Sequence, residues 1–101
     1  RYFTGTSSNV SFGDVLDFER TNSITLEAWV KIGSDTGNVW PIIDKRDAAS
    51  PYNGYKFDYH TSNNQIEFQL VNTWNTNAIY VASPTISIED NLWHHVVATY
   101  N

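Results

Sequence analysis

The stretch "SITLEAWVKI" (residues 23–32) decides the fold class of this chain. Its aliphatic positions are Ile24, Leu26, Ala28, Val30 and Ile32, and between them lie Thr25, Glu27, Trp29 and Lys31. This period of two is that of a pleated strand, whereas an amphipathic helix repeats every 3.6 residues. The stretch therefore predicts a strand with one aliphatic face toward a core. We assign Trp29 to packing because it lies inside the strand.

The same alternation recurs on the C-terminal side. "GYKFDYH" (54–60) and "QIEFQLV" (65–71) each alternate, and the turn-forming "TSNN" (61–64) separates them, so residues 55–71 predict a hairpin. Shorter strands are expected at these positions: 2–4, 9–12, 40–43, 78–82 and 93–100. Loops rich in Gly, Pro, Asn, Asp and Ser join them, so the sequence predicts an all-β fold, an antiparallel β-sandwich or jelly roll.

Composition limits the functions. At 101 residues the chain predicts a single small domain, and six basic against eleven acidic residues give a net charge of −5. This balance argues against nucleic acid and anionic membranes as partners. No apolar run approaches the roughly 20 residues of a membrane span, so we expect no membrane insertion. The chain has no cysteine, which excludes disulfides and thiol nucleophiles.

Order and spacing along the chain point to a family. An opening "YFTGTSSNVSFGDVLDF" is followed by "SITLEAWVKI", "PIIDKRD", "GYKFDYH" and finally "LWHHVVATYN". This order resembles the laminin-G-like or concanavalin A-like lectin and glucanase jelly roll. The most recognisable strands of that family correspond to "SITLEAWVKI" and "LWHHVVATYN". The resemblance covers nearly the whole chain, and it rests on that pair of motifs.

The resemblance also implies that residues 1–101 are the N-terminal part of such a domain. Members of the family continue beyond the final motif with further strands that complete both sheets. We therefore expect a jelly roll that is incomplete at its C-terminus. The rest of its own chain, or a neighbouring subunit, would complete the sandwich. The expected source is a larger surface, secreted or virion protein, which places the domain in the extracellular space, at the cell surface or in a virion.

The adjacent His94 and His95 raise the question of a metal or proton-transfer site. On a strand, neighbouring side chains point to opposite faces, so these two residues cannot grip one metal ion. The resemblance implies that "WHH" is a structural signature, in which the Trp and one His pack in the sandwich or hydrogen-bond across it. We assign Trp93 to packing as well, because it lies inside the predicted strand 93–100.

Catalysis is disfavoured by the arrangement of carboxylates along the strands. Retaining glycosidases place two carboxylates roughly 5 Å apart. Here Glu27 stands alone on its strand, Glu67 lies between apolar residues, and Glu89 with Asp90 suits a bend. We predict no enzymatic activity and no catalytic residues.

Calcium is the more plausible chemistry, because it is bound by six to eight oxygen atoms of the kind that Asp- and Asn-rich loops provide. The best loop contains Asp44, Asp47 and Asn53, and pentraxin-like relatives carry part of a calcium site in the corresponding loop. A second candidate loop contains Asp14 and Asp17. The alternative is that these residues only make turns, or that Lys45 and Arg46 neutralise the loop carboxylates.

Sugar recognition in such folds uses an aromatic ring stacked on a pyranose, with polar side chains that bind hydroxyl groups. Trp74 lies in a polar loop with Asn75 and Asn77, and Tyr52 lies in "SPYNG". These four residues are the predicted ligand-binding set. The alternative is that the rings cap the sandwich, which we favour for Tyr52 and Trp40.

The sequence thus predicts a non-catalytic binding or adhesion module that recognises a glycan or a protein partner through edge loops. A structural or assembly unit without a small ligand is the alternative. An accessory domain of a glycan-processing enzyme is the third possibility.

Overall fold

The computed structural model describes residues 9–11, 13, 15–18, 21–34 and 39–101. Within them the chain forms six strands and no helix, so no described segment has the helical length and apolarity needed to cross a membrane. The strands, in chain order, are β1 (Ile24–Val30), β2 (Val39–Asp44), β3 (Gly54–His60), β4 (Gln65–Thr73), β5 (Asn77–Ala82) and β6 (His94–Tyr100).

The strands form two antiparallel sheets. β1 pairs with β6 in one sheet, and the other has the order β2-β3-β4-β5. Their apolar faces meet in a single core, whose buried members are Ile24, Leu26, Tyr55, Phe57, Tyr59, Phe68, Ile88 and Val96. The predicted antiparallel β-sandwich is confirmed, and alternation in "SITLEAWVKI" identified the core face of β1 correctly.

The predicted hairpin is the centre of the larger sheet. β3 and β4 are joined by the "TSNN" turn, with His60 opposite Gln65 and Asp58 opposite Glu67. Asn64 adopts φ 54° at the end of this turn, a left-handed conformation that asparagine tolerates well. The turn length therefore fixes which polar side chains of the two strands become neighbours.

Two strand predictions near the N-terminus have different outcomes. Residues 9–11 are not in a strand, and residues 2–4 lie outside the described part of the chain. The bend expected at Glu89 and Asp90 is present over residues 90–92, with the Asp90 carboxylate accepting a hydrogen bond from the Leu92 amide at 2.9 Å.

The assignment of Trp29 and Trp93 to packing is wrong. Trp29 is 65% exposed and Trp93 is 61% exposed. Trp29 lies on the face of β1 opposite to Ile24 and Leu26, and its indole stacks on the His95 ring with centroids 5.0 Å apart. Trp93 immediately precedes β6. The position of a residue within or beside a strand therefore does not predict its burial unless it is known which face of the sheet its side chain is on.

Candidate functional site

The predicted sugar-binding aromatics come together at one end of the larger sheet. Tyr52 lies in the β2–β3 loop and Trp74 in the β4–β5 turn, and the Trp74 amide donates a hydrogen bond to the Pro51 carbonyl at 3.1 Å. This bond fixes the two connections side by side. Both rings are 38% exposed, so each presents a face to solvent.

The backbone of the β2–β3 loop is conformationally constrained at Tyr52. Its amide closes a turn on the Ala49 carbonyl at 2.9 Å, and its φ of 62° is uncommon for an aromatic residue. Such conformations persist only where the surrounding structure enforces them, and they concentrate at functional sites. At the base of the loop, Gly54 has φ +124° and packs directly against the Lys45 carbonyl, which no side chain would permit.

The second connection begins at an irregularity in the sheet. The register of β4 against β5 shifts between Val71 and Thr73, immediately before Trp74. Such a bulge re-aims the side chains that follow it. Asn75 completes the turn in a left-handed conformation, with φ 67°. Asn77 begins β5 opposite Thr73. Trp74 and Asn75 therefore share one exposed turn, whereas Asn77 is the first residue of β5 and lines a separate cavity that Ile79 and Tyr100 also line.

Arg46 is the third wall of the resulting cleft, which Arg46, Tyr52 and Trp74 line together. The two oxygens of Asp44 accept hydrogen bonds from Arg46 Nε at 3.0 Å and Nη2 at 3.1 Å. The Gln69 side-chain oxygen accepts one from Nη1 at 3.4 Å. The hydrogen bond to Asp44 is the main reason why the pKa of Arg46 is raised. Asp44 therefore fixes the orientation of the planar Arg46 guanidinium and balances its positive charge.

The cleft encloses about 250 Å³. This is slightly below the roughly 300–1,000 Å³ typical of sites that enclose a small molecule. The arrangement can therefore bind one ring of a larger ligand from one side, but it does not surround the ligand.

In the loop predicted to bind calcium, one of the three candidate ligands is engaged by a basic residue. Both carboxylate oxygens of Asp44 are engaged by Arg46. The Asn53 carbonyl accepts the Asp47 amide at 2.8 Å. In the other candidate loop, Asp17 pairs with Lys45 at 3.1 Å, and Asp14 lies outside the described residues. Asp44 and Asp17 are thus paired with basic residues, whereas the contact between Asp47 and Asn53 joins backbone atoms and leaves their side-chain oxygens out of it, so a calcium site at this loop stays a prediction.

A second polar site lies on the outward face of the larger sheet. Lys56, Asp58 and His60 alternate with the core residues of β3, and Glu67 faces Asp58 from β4. Lys56 forms an ion pair with Asp58 Oδ2. His60 Nε2 lies 3.2 Å from Asp58 Oδ2 and 3.1 Å from Glu67 Oε2. Asp58 is fully buried and Glu67 is 4% exposed, which is unusual for carboxylates.

Tyr80 of β5 extends this polar site. Its hydroxyl donates a hydrogen bond to Glu67, and the bond to this carboxylate raises the pKa of Tyr80 to about 12. Gln69, opposite Tyr80 in the ladder, places its amide nitrogen 3.5 Å from Glu67 Oε2. Glu67 is therefore contacted by three side chains, those of His60, Tyr80 and Gln69.

Sequence reasoning missed this site because it looked for carboxylates along single strands. The signal was available in the hairpin itself. Once "TSNN" is taken as the turn, pairing His60 with Gln65 places Asp58 directly opposite Glu67. Cross-strand neighbours on one face lie close enough to interact.

The two adjacent histidines point to opposite faces, as predicted from strand geometry. His94 Nε2 lies 2.8 Å from Asp90 Oδ1, and this hydrogen bond lowers the pKa of Asp90. His95 Nε2 lies 3.2 Å from Glu27 Oε2 on the neighbouring β1. They make separate local contacts and do not form a joint site.

A larger cavity of about 670 Å³ opens between the two sheets. Ile24 and Tyr100 line it from the smaller sheet, and Tyr55, Leu70 and Ile79 line it from the larger one. It is an open continuation of the core space between the layers.

Residues 4–101 match a laminin-G family described as the concanavalin A-like lectin/glucanases superfamily, so the chain belongs to this family. The match agrees with the two-sheet sandwich and establishes the concanavalin A-like jelly-roll class. Neither a search of curated proteins nor a search of solved structures found a significant match.

Proposed function

We propose that this domain is a non-catalytic module that binds a neutral glycan through the cleft of Arg46, Tyr52 and Trp74. The observation that carries the proposal is the convergence of two exposed rings, from separate connections, on one flat guanidinium. Membership of a lectin and glucanase superfamily supports a binding role. We propose that the module acts outside the cell, at a cell surface or in a virion.

The chemistry of the cleft suits a pyranose. Aromatic rings present large, rigid faces with little conformational entropy to lose, and sugar C–H groups pack well against them. Asn75 lies in the same turn as Trp74 and offers an amide group for hydroxyl recognition. The small enclosed volume favours one terminal or internal sugar ring over a ligand that is engulfed whole.

The balance of charge favours a neutral sugar over an acidic one. Arg46 is paired with Asp44 through two hydrogen bonds, so it offers no free cation to a ligand carboxylate or sulfate. An acidic sugar would also approach a chain with a net charge of −5. The cleft therefore provides a planar surface and hydrogen bonds, without net positive charge.

The paired carboxylates Asp58 and Glu67 do not revive the enzymatic alternative. Asp58 is fully buried beneath Lys56 and His60, and Glu67 is bonded to Tyr80. A glycosidase needs both carboxyl groups within reach of the glycosidic bond. Neither group is open to a sugar in this fold, which supports the non-catalytic proposal.

The test is a titration of intrinsic tryptophan fluorescence with a panel of neutral oligosaccharides built from glucose, galactose or mannose. At least one is expected to change the emission of the wild type, and Trp74→Ala is expected to abolish this change. Trp93→Ala is the matched control, because Trp93 is also exposed but lies outside the cleft, and it should bind as the wild type does. Binding that survives in Trp74→Ala would overturn the proposal.

Calcium is not required by this proposal, because Arg46 already neutralises the carboxylate nearest the cleft. The sugar affinity is therefore expected to be the same in calcium and in a chelator. A large loss of affinity in the chelator would restore the predicted role of Asp44, Asp47 and Asn53 in ordering the loop.

A second candidate function is an assembly unit completed by another segment or subunit. The open cavity between the sheets favours it, because its lining includes apolar residues from both layers. Light scattering on the domain, alone and within a longer protein, tests this role. A stable complex that covers Ile79 and Tyr100 would support assembly. A monomer with these residues accessible would count against it.

A further inference from the structure

The outward face of the β3–β4 hairpin gathers three metal-binding side chains. One ligand atom each from Asp58, His60 and Glu67 lies within 4.8 Å of the other two. Asp58 and His60 are two residues apart on β3, so both project from the same face, and Glu67 is the cross-strand partner of Asp58. The hairpin register therefore assembles the group from rigid strand positions rather than from a loop.

The electrostatics of this group call for a further cation. Of the two buried carboxylates, Asp58 pairs with the ammonium of Lys56, and both lie next to His60. Arg46, the other basic group near this face, is paired with Asp44. When His60 is neutral, the cluster therefore lacks one positive charge. Buried carboxylates that are not fully compensated are costly.

One carboxylate oxygen is also unused. Asp58 Oδ2 contacts both the Lys56 ammonium and His60 Nε2. The buried Oδ1 has no hydrogen-bond partner among the residues that the structure describes. A buried acceptor without a partner is rare in native proteins and points to an ion, a water molecule or strain. Asp58 thus has one oxygen, Oδ2, that faces both Lys56 and His60, and a second, Oδ1, whose acceptor capacity the described residues do not use.

We propose that Asp58, His60 and Glu67 bind a divalent transition-metal ion of the zinc class. Bonds of 2.0–2.2 Å in a tetrahedral site place ligand atoms roughly 3.3–3.6 Å apart. His60 Nε2 lies 3.2 Å from Asp58 Oδ2 and 3.1 Å from Glu67 Oε2, close to this separation, and an ion bound at Oδ2 would share that oxygen with the Lys56 ammonium. The imidazole nitrogen selects zinc, nickel or copper over calcium, which prefers six to eight oxygens.

The surrounding residues fit the same role. The Tyr80 hydroxyl bonds to Glu67 and orients its carboxylate, as outer groups commonly orient metal ligands. The His60 side chain is 22% exposed and gives the ion a path from solvent. With three protein ligands, the fourth position of a tetrahedral ion is left for water or for a group from a partner.

The experiment is a calorimetric titration of the whole domain with Zn²⁺, repeated on His60→Ala and Glu67→Gln. Wild type is expected to bind one ion, and each variant is expected to bind at least about tenfold more weakly. The matched control is His95→Ala, because His95 also touches a carboxylate, Glu27, but lacks a second one. This control should bind Zn²⁺ as the wild type does, and Ca²⁺ should not compete.

A second readout keeps the test decisive if a variant fails to fold. The ring signals of the three histidines are followed by NMR as Zn²⁺ is added to the wild type. Shifts confined to His60 support the site. No binding, or equal shifts at His94 and His95, would overturn the proposal and leave His60 as a hydrogen-bonding partner of the two carboxylates.

Discussion

Gly54 controls the position of the loop that carries Tyr52, and Gly54→Ala is the sharpest single perturbation of the candidate cleft. A Cβ at this position would lie 2.0 Å from the Lys45 carbonyl oxygen, 2.9 Å from the Lys45 carbonyl carbon and 3.0 Å from the Arg46 Cα. All three contacts are backbone atoms, which cannot move aside as a flexible side chain would. The backbone at Gly54 and the backbone at Lys45 and Arg46, the two ends of the loop, must therefore move apart by on the order of an ångström.

The expected cost follows from two separate terms. A residue with a Cβ at φ +124° carries a conformational penalty of about 1–3 kcal/mol. Separating the two ends of the loop also strains the hydrogen bonds from the Lys45 amide to the Tyr55 carbonyl, at 2.9 Å, and from the Asp47 amide to the Asn53 carbonyl, at 2.8 Å. Each is worth about 1 kcal/mol. Gly54→Ala should therefore lower the free energy of unfolding by about 3–5 kcal/mol.

Urea denaturation followed by far-UV circular dichroism measures this loss. The matched control is Gly33→Ala, because a Cβ at Gly33 meets no atom within 4 Å. That variant should stay within about 0.5 kcal/mol of the wild type. If Gly54→Ala were as stable as Gly33→Ala, the close approach of the two ends of the loop, and with it the described position of Tyr52, would be refuted.

Three further predictions concern the core and the titrating groups. Phe57 is fully buried, so Phe57→Ala should cost about 3–5 kcal/mol in urea denaturation, and a cost below 1 kcal/mol would contradict its burial. The pKa of Tyr80 is raised from 10.0 to about 12 by Glu67, so its stabilisation is complete below pH 10 and is lost as the pH rises toward 12. Tyr80→Phe should remove that part of the pH dependence of stability; an unchanged curve would exclude the bond. The pKa of Asp90 lies below its ordinary 3.8, so its contribution is present above that pH and is lost as the pH falls through the lowered pKa. NMR titration should show the Asp90 midpoint rising in His94→Ala, and an unchanged midpoint would exclude His94 as the cause.

The sequence was sufficient for the fold because β1, β3 and β4 each carry their own alternation. The core positions of β1 and β3 follow from a period of two, and the "TSNN" turn follows from turn-forming residues. The position of Trp29 could not be obtained in this way. An aromatic residue on the second face of a strand is buried only if another layer covers that face, and a sequence pattern does not reveal the layers.

The candidate sites differ in how far they could be foreseen. Trp74 and Tyr52 were each predicted as an aromatic residue in a polar loop. Their proximity depends on the hydrogen bond between Trp74 and Pro51, which links segments distant in sequence. The group of Asp58, His60 and Glu67 was within reach, because the hairpin register alone brings it together. The unused Oδ1 atom of Asp58 depends on side-chain packing and could be seen only in the structure.

Recognition of a neutral glycan at the cleft is the central claim, and the most direct measurement is NMR of the four tryptophan indole N–H groups during titration with the oligosaccharide that changes the fluorescence. The account predicts that the Trp74 signal shifts with added sugar, whereas the signals of Trp29, Trp40 and Trp93 stay in place. A sugar-dependent shift at Trp29 or Trp93, with Trp74 unmoved, would contradict it and place recognition on the β1–β6 side of the sandwich.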